Sequence, residues 1–176
     1  SSGPEQIRMR RIFTLIAAML IVVSAAAQQT QHAALERLRA AISDSCLTLK
    51  CTYSMYVSQT RVQGEAEVML QRNAFTMCGN GIEVYCDGTK VWTLDSSLKE
   101  AYVEPVENTG VNALLDPTSA DVVFDADGNP VSASFIMQDG LKVDIEILSV
   151  TKSKIKPEDA FRPQVDFNSD WIVTEL

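Results

Sequence analysis

Ile82-Glu83-Val84-Tyr85-Cys86-Asp87-Gly88-Thr89-Lys90-Val91-Trp92 is the stretch whose reading decides the fold. Apolar and polar side chains alternate up to Cys86, Asp87-Gly88 interrupts them, and Val91-Trp92 opens another apolar run. Asp-Gly is a strong two-residue hairpin signal, because Gly accepts positive φ and Asp tolerates it. The stretch therefore predicts two antiparallel strands joined by a tight turn.

The same period of two extends outward from this hairpin. On its N-terminal side, Leu47, Leu49, Cys51, Tyr53, Met55 and Val57 alternate with mostly polar residues, which predicts one long, one-sided strand. Gly64 to Arg72 carries Ala66, Val68 and Leu70 on one face and Glu65, Glu67 and Gln71 on the other. Phe75 to Cys78 follows, with a Gly79-Asn80-Gly81 turn leading into Ile82. On the C-terminal side, strands are predicted over Val91 to Leu94, Ala101 to Glu104, Ala120 to Asp125, Val131 to Gln138 and Leu141 to Val150. Lys152, Lys154 and Lys156 suggest an exposed edge. Phe161 to Leu176 reads as an irregular tail with a short strand around Trp171 to Thr174.

Helical material is scarce. Ala34, Leu35, Leu38, Ala41 and Ile42 form one apolar stripe, which predicts an amphipathic helix from Thr30 to about Ser43. Glu104 to Thr118 reads as a loop with one short apolar helical turn. About nine one-sided strands must be covered, and a sheet covers its apolar face with helices, with a second sheet or by closing on itself. A closed barrel or sandwich is one solution. A curved, incomplete barrel whose apolar interior takes a ligand is the other.

The N-terminal region sets the compartment. Met9-Arg10-Arg11, the apolar run Ile12 to Val23 and Ser24-Ala25-Ala26-Ala27 form a secretory signal peptide. The run is shorter than the roughly 20 residues of a spanning helix. Residues 1–27 are expected to be leader and signal peptide, and 28–176 a single exported domain of about 149 residues. The net charge of −8 becomes about −10 without the leader, which argues against nucleic acid and against adsorption on anionic lipid. Export permits disulfides among Cys46, Cys51, Cys78 and Cys86. Cys46 and Cys51 on one strand would stand about 16 Å apart, out of disulfide reach. Cys78 and Cys86, on neighbouring strands of one hairpin, form the easier pair, and three complete connectivities remain open.

Other chemistry finds little support. Asp125-x-Asp127-Gly128-Asn129 has the start of a calcium loop without its later ligands, and a hairpin turn accounts for it. His32 is the only histidine, so neither a zinc site nor a Ser-His-Asp triad is supported, and no Ser sits in a G-x-S-x-G elbow.

The mature chain resembles the LolA-like periplasmic lipoprotein carriers. The match centres on Ile82-x-Val84-x-x-Asp87-Gly88-x-x-x-Trp92. Gly64 to Phe75, the N-terminal helix and the hairpin from Val123 through Asp125-Ala126-Asp127-Gly128-Asn129 to Phe135 extend it over most of the mature chain. The resemblance implies a mainly β, α+β fold: a curved antiparallel sheet forming an incomplete half-barrel, with an N-terminal amphipathic helix and a short helical lid. It implies non-covalent carriage of lipoprotein acyl chains from inner to outer membrane by a periplasmic monomer. The expected partners are an inner-membrane extraction complex and an outer-membrane acceptor, with no enzyme activity and no cofactor. Arg72 matches the family's strand-end arginine, which latches the lid by hydrogen bonding. Asn73 stands where the family has Pro, and the segment between Pro105 and Ala120 is shorter than in the carriers.

Burying acyl chains calls for large adaptable side chains. Each CH₂ contributes about 0.8 kcal/mol, so a sixteen-carbon chain in water costs roughly 12 kcal/mol. Met adapts its shape, and aromatic rings supply area with few rotors. The expected lining is Leu49, Tyr53, Met55, Val68, Leu70, Phe75, Met77, Val84, Trp92, Leu94, Phe135, Met137 and Ile145. The runner-up function is a regulatory module of the same fold that senses lipid or damaged envelope protein and moves no cargo.

Overall fold

A computed structural model describes residues 37, 38, 40–106, 120–136 and 142–176. The expected leader, most of the expected helix, the expected helical turn before Thr118, and Met137 lie outside the described residues. Of Phe135 only the backbone is described.

The described chain is almost entirely β. In chain order the strands are β1 (Cys46–Val57), β2 (Thr60–Gln71), β3 (Ala74–Gly79), β4 (Ile82–Cys86), β5 (Lys90–Asp95) and β6 (Glu100–Pro105). Then come β7 (Ala120–Phe124), β8 (Pro130–Ile136), β9 (Lys142–Ser153) and β10 (Ile172–Glu175). They form one sheet in the order β10-β6-β5-β4-β3-β2-β1-β9-β8-β7. The first six strands are a meander, and β9, β8 and β7 continue it from the other side of β1. β10 joins β6 in parallel, so a sheet expected to be wholly antiparallel is mixed. Among the described residues β7 and β10 are the two edges and do not pair with each other, so the strands form an open, curved sheet.

Register assigns the faces. Across the middle of the sheet, Leu49 pairs with Val68, Val68 with Met77 and Met77 with Val84. Tyr53 pairs with Ile145, and Ile145 with Ala133. All of these side chains are buried in one apolar cluster, which defines the inner face. Leu38, Ala41 and Ile42 pack against it from the helix, whose described part ends at residue 44. The outer face of the same strands carries Lys50, Thr52, Ser54, Glu65 and Glu67. The bulge between β1 and β9 skips Leu148, leaving it 58 % exposed.

The turns differ in one respect from the sequence expectation. Asp87 N–H donates to the Lys90 carbonyl, so the β4–β5 apex is Gly88-Thr89, one residue later than Asp87-Gly88. Gly88, at φ +93°, supplies the left-handed conformation the apex requires. Asp87 acts from the stem, where its carboxylate accepts Thr89 N–H, the Thr89 hydroxyl and Lys90 N–H. Asp125 does the same for the β7–β8 hairpin, accepting the N–H groups of Asp127 and Asn129. Its carboxylate serves a turn, as the hairpin reading of that segment expects.

The lysine run is a sheet edge only in part, at Lys152. β9 lies between β1 and β8, and only its last part runs past β8. Lys152 falls in that part, and Lys154 and Lys156 follow the strand. Residues 154–171 then run to β10 through a 3-10 turn at Glu158–Phe161, which packs on β3.

Candidate functional site

The inner face is the candidate site. It brings together Leu49, Tyr53, Met55, Val68, Leu70, Phe75, Met77, Val84 and Ile145, all at most 3 % exposed. Leu47, Cys51, Cys86, Val91 and Val143 share that cluster and were not singled out from sequence, although Leu47 and Cys51 stand in the same alternation as Leu49 and Tyr53. The backbone register places Phe135 opposite Val143.

Trp92 and Leu94 do not belong to this face. Val84 pairs with Thr93, and Trp92 pairs with Tyr85, so Trp92 and Leu94 point to the outer side. A two-residue apex pairs even positions with odd ones, which puts Val91, Thr93 and Asp95 on the side of Val84. The apolar side of the sheet changes hands at β5. Beyond it the inner face carries Glu100, Tyr102 and Glu104, and the apolar residues of β6 turn outward. Leu94, Ala101 and Val103 are buried there. The C-terminal segment is a strap along the outer face: Lys156 is held by Gln71, the 3-10 turn packs on β3 with Phe161 buried, and β10 joins β6.

One end of the site is fixed by a ring. Tyr53 crosses Gly64, and its phenol oxygen accepts a hydrogen bond of 2.6 Å from Asn80 Nδ2 in the β3–β4 turn. Burial pushes the Tyr53 hydroxyl's pKa up, and the Asn80 contact partly offsets this.

The other end is fixed by the helix terminus. The last carbonyls of a helix lack partners within it. Here Ala40 O accepts the Ser43 hydroxyl, and Ala41 O accepts both the N–H and the hydroxyl of Ser45. Ile42 O accepts Arg72 N–H at 2.6 Å, and Ser43 O accepts Arg72 Nε at 3.2 Å. Arg72 makes these contacts from the β2–β3 turn at φ +53°, a conformation uncommon for any residue but Gly, Asn or Asp. Its partner in the described residues is thus the N-terminal helix.

The cysteines contribute no cross-link. All four are free thiols. Cys78 pairs with Glu83 and is exposed on the outer face, whereas Cys86 pairs with Phe75 and is buried on the inner one. The expected Cys78–Cys86 pairing is therefore overturned: the sheet separates the two sulfurs. Burial pushes the Cys51 and Cys86 thiols up to about 11. Among the described residues no group of three His, Cys, Asp or Glu side chains is placed to hold a metal ion.

No protein-family model matches this chain, and no curated protein is recognisably similar to it in sequence. Solved structures do resemble its fold. An uncharacterized conserved protein from Thermus thermophilus superposes with a TM-score of 0.53 at 11 % identity, over 84 % of this chain and 100 % of its own. A LolA superfamily protein from Nitrosomonas europaea overlaps at 0.42 and 9 % identity, over 74 % of this chain and 96 % of its own. A chain of the Pseudomonas aeruginosa MucA/MucB complex overlaps at 0.30 and 11 % identity, over 76 % and 61 %. The last two overlaps are loose, and at these identities the likeness is one of fold alone.

Proposed function

We propose that this protein is a periplasmic lipid-binding module that takes acyl chains onto the inner face of its open sheet. Its task on this reading is to carry lipoprotein acyl chains from the inner to the outer membrane, receiving them from an extraction complex and yielding them to an acceptor. The observation that carries the proposal is the inner face itself. It is a continuous apolar surface, rich in adaptable Met and aromatic side chains, on a sheet whose described edge strands, β7 and β10, do not pair with each other. The helix end that packs on it is held at its terminus by hydrogen bonds from Arg72, which can open without breaking any strand pairing. The resemblance to LolA-like carriers and the secretory leader support the same reading. The proposed work is non-covalent: entry replaces helix contacts with acyl contacts, and exit reverses this.

Native mass spectrometry of gently purified protein tests the first step, with retained acyl mass and uptake of a fluorescent fatty-acid probe as the expected results. Protein that neither retains lipid nor takes up the probe would end the lipid reading. A transfer assay with purified lipoprotein and outer-membrane vesicles tests the second step. Binding without delivery would replace the carrier by a regulatory module of the same fold.

A further inference from the structure

We propose that Gln71 and Arg72 couple the helix on the inner face to the strap on the outer face, so that neither is released without loosening the other. The two residues are adjacent, and each grips a different layer. Arg72 holds the helix end through its backbone N–H on Ile42 O and its Nε on Ser43 O. Gln71 points to the outer face, is 5 % exposed, and holds the strap with both ends of its amide. Its Nε2 donates to Lys156 O at 2.9 Å, and its Oε1 accepts Lys156 N–H at 2.8 Å. A side-chain amide that exchanges both bonds with one backbone residue imitates a neighbouring strand.

The geometry leaves little room for independent motion. Arg72 reaches the helix from the left-handed conformation it adopts in this turn. Swinging it away turns the peptide that also sets the direction of Gln71, and a buried amide pulled off Lys156 loses both partners at once. The strap has other anchors, in the Arg162–Asp87 ion pair and in β10 on β6. Loosening at Lys156 is therefore local to the start of the strap and does not detach it. Lifting the helix off the inner face would alter the outer surface around residues 154–161. That consequence rests on the lipid-binding reading; the coupling itself does not.

The test is site-resolved amide hydrogen exchange on the full chain without ligand, so it stays separate from any failure to bind lipid. Arg72→Gly removes the guanidinium, relieves the backbone and keeps the N–H on Ile42. The expected result is exchange at the Lys156 amide at least tenfold faster than in the parent. Gln71→Leu should speed exchange tenfold at the amides of Ser45 and Arg72. Lys156→Pro acts from the strap with both clamp residues intact and should do the same, which covers the case where Gln71→Leu does not fold. Variants that each loosen only their own layer would overturn the coupling.

Discussion

The ring of Tyr53 on β1 lies across Gly64 on β2, so closely that a Cβ at position 64 would stand 2.6 Å from the phenol oxygen and 2.8 Å from Cζ. Gly64 therefore serves as the floor on which an inner-face aromatic lies flat and reaches Asn80. A glycine usually weakens a strand, and here the ring covers the gap it leaves.

Gly64→Ala forces the ring off its seat and breaks the Asn80 contact. The expected loss is about 1–3 kcal/mol, the usual penalty for overpacking, read from urea unfolding. Tyr53→Phe keeps the ring and should lose only about 1 kcal/mol, the net worth of one hydrogen bond. Gly64→Ala added to Tyr53→Ala should cost far less than Gly64→Ala alone, because no ring remains to displace. Full additivity would contradict the arrangement.

The two faces can be told apart by binding. Val84→Thr is nearly isosteric but puts a hydroxyl into the inner cluster. It is expected to weaken the acyl probe roughly tenfold, which corresponds to about 1.4 kcal/mol. Trp92→Phe alters the outer side of the next strand and should leave probe affinity within twofold. Fluorescence titration reads both, and the opposite ranking would place the ligand on the other face.

Asp87 predicts an acid-sensitive contribution. Burial alone would raise its pKa, but the Lys90 N–H, the Thr89 hydroxyl and N–H, and the Arg162 guanidinium together hold it down to about 2. A carboxylate depressed on folding stabilises above its ordinary value of 3.8 and loses that contribution as pH falls through about 2. Its side chain is only 7 % exposed, and the contribution at neutral pH is roughly 2 kcal/mol. Asp87→Asn should therefore be less stable than the parent at pH 7, and the gap should close between pH 4 and pH 2. Urea midpoints across that range measure it.

Thiol labelling reports the packing of the sheet. Cys46, Cys51 and Cys86 are buried and should react with a maleimide only after denaturation. Cys78 should react in the folded protein, slowly at pH 7, since partial burial and then the Glu83 and Glu67 carboxylates raise its pKa. Glu67→Gln should speed this labelling two- to fivefold. Mass spectrometry of labelled protein should find one modified cysteine before unfolding and four after it. A Cys78–Cys86 disulfide would contradict the register.

Much of this was legible in the sequence because period and turn chemistry are local. The alternation from Leu47 to Val57, the Asp-Gly and Gly-Asn-Gly turns and the scarcity of helix determine one-sided strands and a sheet short of cover. Tertiary structure alone decided which side of β5 is the core side. Val91, Trp92 and Leu94 are apolar on both faces, and only the register of β5, with Thr93 opposite Val84 and Leu94 opposite the outward, buried Ala101, breaks the tie. The fate of the cysteines was decided in the same way, since hairpin neighbours can still stand on opposite faces. So was the partnership of Gln71 and Arg72, whose contacts lie 85 and 29 residues away. The sequence by itself determined the strands and their turns, because those depend on residues a few positions apart. The faces, the free thiols and the two-sided clamp depend on what distant segments cover, and only the folded chain brings those together.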